Sequence, residues 1–99
     1  MKTMLQDKEL TLYLSGDIDH HSAREIRETA DGLVNEMQPR VLKLNFADVG
    51  FMDSSGIGLI MGRYRTMQLY GGDLRVTDVP DSLRRIMELS GLNALDVIV

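Results

Sequence analysis

Cysteine is absent from the 99 residues, so the chain has no disulfide and no thiolate metal site, and a reducing compartment suits it. An excess of basic residues is also missing. Fifteen acids stand against eleven bases, a net charge of −4, which argues against a nucleic-acid backbone as partner. No apolar run approaches the roughly 20 residues that a membrane span needs. The start, Met1-Lys2-Thr3-Met4-Leu5-Gln6-Asp7, has no apolar core of the signal-peptide kind. The expectation is a cytoplasmic protein with no membrane segment. Lysine does not occur after Lys43, which excludes a phosphate loop in the middle of the chain and the late lysine of a phospho-Asp receiver.

What is present is the composition of one ordinary globular domain over residues 1–99, 43% hydrophobic and 26% charged. Leu10, Leu12 and Leu14 alternate with Thr11, Tyr13 and Ser15, the period of a half-buried strand that Gly16 should end. Met1 to Leu5 reads as an edge strand joined to it through the polar turn at Asp7. Ser22 and Glu25 have the spacing of a capping box. Ala23, Ile26, Ala30, Leu33, Val34 and Met37 follow on one helical face. The other face carries Arg24, Arg27, Glu28, Asp31 and Glu36, read as solvated, and Gln38-Pro39 stops the helix. Leu42, Leu44 and Phe46 form a second alternating strand, and Leu74 and Val76 a third. Between them a helix runs from Ser54 or Ser55 to about Tyr70 and closes at Gly71-Gly72. Val79-Pro80-Asp81 opens a last helix with Leu83, Ile86, Met87 and Leu89 as its apolar members. Gly91 caps it, and Asp96 to Val99 reads as a closing strand.

This order implies right-handed crossovers and a mostly parallel sheet. Parallel strands covered on both faces read as continuous apolar runs, and these alternate. The expected fold is therefore α/β, an open two-layer sheet with its helices on one face. It offers no deep crevice for a small-molecule substrate.

The central stretch is Phe51-Met52-Asp53-Ser54-Ser55-Gly56-Ile57-Gly58, where a strand hands over to a helix. Asp53 and the serines can accept hydrogen bonds from unpaired N–H groups of the first turn. A nucleophile elbow would need Gly two residues before its Ser, but Met52 and Asp53 stand there. Gly56, Gly58 and Gly62 do not give the dinucleotide spacing. The serines are better suited to being modified or recognised than to catalysis. Gly16-Asp17-Ile18-Asp19-His20-His21 also follows a strand and precedes a helix, so Asp17, Asp19 and Ser54 should share one end of the sheet. Its carboxylates and imidazoles could be imagined around a metal, but no further ligand cluster stands out, and none is expected.

The central stretch followed by Gly62-Arg63-Tyr64, the Gly16-to-His21 segment and Ser90-Gly91-Leu92 together resemble the STAS domain family, the anti-sigma factor antagonists. The likeness runs over nearly the whole chain. It implies a non-enzyme without cofactor that binds an anti-sigma factor serine kinase and so frees a sigma factor. It implies phosphorylation by that kinase on the Ser after the Asp, here Ser54, with loss of binding, and reversal by a serine phosphatase. Asp17, Asp19, Asp53, Ser55, Gly56, Ile57 and Gly58 are the expected partner-binding residues around it. Two other readings stand beside this one: a STAS scaffold in another signalling complex, and a small serine-dependent enzyme.

Overall fold

The structure, a computed structural model, describes residues 1–99. Lys2–Gln6 (β1) and Glu9–Ile18 (β2) form an antiparallel hairpin. Its two-residue turn, Asp7-Lys8, has φ of 53° and 65°. Positive φ at both positions matches the right-handed twist of the flanking strands. The chain continues through His20–Met37 (α1), Val41–Met52 (β3), Ser54–Leu69 (α2), Asp73–Thr77 (β4) and Asp81–Leu89 (α3). The sheet order is β1-β2-β3-β4, with β2, β3 and β4 parallel. All 24 buried apolar side chains belong to one cluster between the sheet and the helices. On the opposite face Thr11, Tyr13, Lys43, Asn45, Arg75 and Thr77 are half-buried at most. Lys43 Nζ there lies 2.6 Å from Glu9 Oε1, and that hydrogen bond holds the Glu9 carboxyl below its ordinary pKa. The fold is the open two-layer one that the alternation implies.

Several boundaries differ from those read in the sequence. Gly16 does not end β2. It takes φ +77° and the strand runs on to Ile18. Likewise β3 passes through Ala47-Asp48-Val49-Gly50 to Met52. Tyr13 pairs with Asn45 but Ser15 with Asp48, and Gly16 pairs with Val49 but Asp17 with Phe51. Each step inserts one extra residue in β3, a bulge. The buried positions of β3 accordingly pass from a spacing of two (Leu42, Leu44, Phe46) to a spacing of three (Val49, Met52). Asn45 fixes the first irregularity. Its Oδ1 accepts from the Ala47 N–H at 2.9 Å, and its Nδ2 donates to Asp78 at 2.9 Å.

At the C-terminal end, Leu89 is exposed rather than a member of the core face of α3. Ser90 caps that helix and Gly91 follows at φ +87°. A 3₁₀ turn over Leu92–Leu95 intervenes before the end of the chain. The expected closing strand reduces to a single parallel bridge of Ile98 with Val76. The Val76 N–H donates to the Val97 carbonyl at 2.8 Å and the Val99 N–H to the Val76 carbonyl at 2.9 Å.

Candidate functional site

The extended ends of β2 and β3 rise together beyond the last pair of β3 with β4, Asn45–Thr77. Ile18 pairs with Met52, and the Asp53 N–H donates to the Ile18 carbonyl at 3.2 Å. This register sets the first turns of α1 and α2 side by side, so the segments around Asp17–Asp19 and Asp53–Ser55 are neighbours in space.

Asp53 caps α2. Its backbone is extended and its Oδ1 accepts from the Ser55 N–H at 2.8 Å. Ser54 is the first helical residue and is exposed. Because Asp53 carries the cap, the Ser54 hydroxyl is not committed to that bond. Ser55 is half-buried, and Gly56 and Ile57 turn into the core. A Cβ on Gly56 would overlap Cγ and Sδ of the buried Met52. Gly58 is exposed, with nothing within 4 Å of where its Cβ would stand, and Gly62 has the same open surroundings. Close packing, the commoner reason for a helical glycine pair, therefore does not explain these two.

At α1 the cap is Asp19, not Ser22, and the helix begins at His20. Asp19 Oδ1 accepts from the Ser22 N–H at 2.9 Å, while the Asp19 N–H donates to Ser22 Oγ at 3.0 Å. Ser22 thus serves as the reciprocal third residue of the box. Glu25 does not reach back; it lies 3.2 Å from His21 Nε2. The Ser22 backbone bond holds the Asp19 carboxyl below its ordinary pKa. Ser22 Oγ also donates to the Asp17 carbonyl at 2.9 Å. The side chain of Asp17 stays exposed near Gly50, its Oδ1 3.9 Å from where a Cβ on that glycine would stand. No three His, Asp or Glu side chains converge as a metal site.

Two features of this end escape a reading of the sequence. Phe51 is 53% exposed beside Ser54, because the bulged strand turns Met52 inward and Phe51 out. A hollow of about 470 Å³ opens between the first turns of the helices, lined by His20, Arg24 and Arg27 from α1 and by Ser55, Gly58 and Leu59 from α2. The sequence assigns Arg24 and Arg27 to a solvated face and His20 to the segment before the helix, whereas in the structure all three line this hollow. Deeper in the same seam Arg63 is buried, its side chain only 7% exposed, with Nε 3.0 Å from Asp31 Oδ1. The pair is close but poorly aligned for a hydrogen bond, and Arg63 Nη1 has no partner. Burial lowers the Arg63 pKa, against the pull of Asp31. Asp31 is therefore the counter-ion of a buried guanidinium as well as a partly solvated surface residue.

A model of the STAS domain matches residues 2–98. The chain belongs to the STAS domain family. A relative in Paenibacillus polymyxa, an anti-sigma F factor antagonist, is 37% identical over 83 residues, which are 84% of this chain and 71% of that protein. An anti-sigma-B factor antagonist of Bacillus subtilis is 29% identical over 86 residues, 87% of this chain and 77% of the relative. Among solved structures, the anti-sigma factor antagonist SpoIIAA in its unphosphorylated form matches with a TM-score of 0.86 at 26% identity, covering 99% of this chain and 84% of that one. The phosphorylated form from Bacillus matches at 0.77 and 26% identity, covering 99% and 87%. The relatives of this STAS domain are thus regulatory proteins by name, and no helix of the chain is long and apolar enough to cross a membrane.

Proposed function

We propose that this STAS domain is an anti-sigma factor antagonist switched by phosphorylation of Ser54. In the unmodified state it docks, through the end of the sheet that carries Ser54, on an anti-sigma factor that is also a serine kinase, and the sigma factor is released. Phosphoryl transfer from ATP to Ser54 Oγ ends the association, and a serine phosphatase restores it. The setting is the cytoplasm, and the domain itself performs no catalysis. The observation that carries this reading is the placement of Ser54. It is exposed at the head of α2, next to an Asp that has already taken the capping bond.

The chemistry of the position supports a switch that leaves the fold intact. A phosphoserine adds about −1.5 to −2 charges at neutral pH. The N–H groups and macrodipole at a helix N-terminus favour such a group. The partner surface meets it differently. Asp17 and Asp53 already make this end of the sheet acidic, and a phosphate placed next to acids in a docked contact disrupts it by like-charge repulsion and desolvation. Of the expected contacts, Asp17, Ser55 and Gly58 are open to a partner, while Gly56 and Ile57 act from beneath by shaping the turn. Asp19 and Asp53 serve as caps.

The test is mass mapping of the protein after incubation with its cognate kinase and ATP. A single phosphate on Ser54 is expected. Ser54→Ala should remain unmodified and stay bound to the kinase. Modification elsewhere, with Ser54 untouched, would refute the assignment.

A further inference from the structure

The hollow between α1 and α2 differs in charge from the rest of the molecule. The chain as a whole carries −4, yet the acids near the hollow are already engaged. Arg24 Nε holds Glu28 Oε1 at 3.2 Å, and Arg63 Nε lies 3.0 Å from Asp31 Oδ1. Arg27 has no carboxylate within 4.0 Å, so the seam sets three guanidinium groups against two carboxylates, Glu28 and Asp31. Arg27 is also near enough to Arg63 to disfavour the charge of that buried group. An anion seated beside Arg27 would relieve this repulsion. The floor on the α2 side is Gly58, which has open space where a Cβ would be, so a side chain can enter to backbone depth. Ser55 on the rim is the residue next to Ser54, which makes the hollow continuous with the docking face.

We propose that this hollow is an anion-accepting subsite of the docking face, and that Arg27 receives there a Glu or Asp side chain of the protein that docks on Ser54. The inference rests on the reading of Ser54 given above. It adds an attractive electrostatic contact to a face whose other charges, Asp17 and Asp53, are negative. Such a pairing fixes orientation and speeds encounter more than it deepens affinity. Arg27 is exposed, so its charge acts mainly on the association rate and is screened by salt.

The test measures association of wild type, Arg27→Lys and Arg27→Glu with the cognate kinase at low and at physiological salt. Circular dichroism establishes that each variant folds. Arg27→Glu is expected to bind about tenfold more weakly at low salt, chiefly through slower association, with the gap closing as salt rises, and Arg27→Lys to keep most of the wild-type rate. A charge reversal at one acidic residue of the kinase should restore binding to Arg27→Glu. If wild type binds and is phosphorylated while Arg27→Glu binds equally well at both salts, the subsite is wrong and the reading of Ser54 stands. If inorganic phosphate perturbs the Arg27 resonances while Arg27→Glu leaves kinase binding unchanged, the hollow takes a free anion and the proposal falls. If wild type neither binds nor is modified, both fall together.

Discussion

Gly56 and Gly58 stand two residues apart in the first turns of α2, and their surroundings are opposite. Gly56 is buried, and a methyl group there would overlap the buried side chain of Met52, which would have to shift within the core. Overpacking of this kind costs about 1–3 kcal/mol. Gly58 looks into open space, and an alanine there removes the entropic cost of a helical glycine, about 0.5–1 kcal/mol. Urea denaturation of the two single variants should give shifts of opposite sign: Gly56→Ala less stable than wild type, Gly58→Ala more stable. A loss of stability in Gly58→Ala would mean that the helix needs this glycine for its own packing. A gain leaves the open face, and what docks there, as the reason for a glycine.

The helices and strands were legible wherever the apolar period held. Leu10, Leu12 and Leu14, Leu42, Leu44 and Phe46, and Ala23, Ile26, Ala30 and Val34 are buried as read, whereas Leu33 of the same helical face is half-buried and Met37 is exposed. The reading lost the chain where the period changed. Two bulges convert the spacing of two into three along Val49 and Met52, so the alternation ran out after Phe46 and the outward turn of Phe51 was hidden. At α1 the sequence places the capping box on Ser22 and Glu25, whereas the structure forms it from Asp19 and Ser22, one cap earlier. The structure selects Asp19, and this has an acid signature. Its carboxyl is held below the ordinary Asp pKa in the folded state by the Ser22 backbone bond. A lowered folded pKa gives stability that is present above the unfolded value and is lost as pH falls through the folded one. Thermal melts from neutral pH downward should therefore show Asp19→Asn, which keeps a capping oxygen without the titration, losing less stability than wild type below the ordinary Asp range. Coincident slopes would remove Asp19 from the acid response. The seam between α1 and α2 was the least legible element, since arginine is seldom buried. Removing Asp31 leaves Arg63 charged and buried, whereas removing Arg63 leaves an Asp that is 44% exposed and can hydrate. Asp31→Asn should cost more than Arg63→Met, by about 1–3 kcal/mol after allowance for the partial exposure of Asp31. Equal losses in denaturant titrations would indicate that the pair is already solvated.

For the whole molecule the proposed switch requires that stability and binding respond to Ser54 in different directions. The sheet, its single core and the caps of both helices are complete without the Ser54 hydroxyl, so charge added there meets the α2 dipole and open solvent rather than the core. An acidic group in the first helical turn stabilises by about 0.3–1 kcal/mol at low ionic strength. Ser54→Asp should accordingly melt at or slightly above the wild-type temperature, with its amide resonances displaced only around residues 17–20 and 51–59. The same variant should bind the cognate kinase much more weakly, since the negative charge now faces the partner permanently. A Ser54→Asp protein that lost binding together with several degrees of melting temperature, or with displaced resonances through Leu42–Phe46, would mean that the switch works by loosening the core. If the core stays unmoved while binding is lost, what the partner reads is the charge at one helix tip.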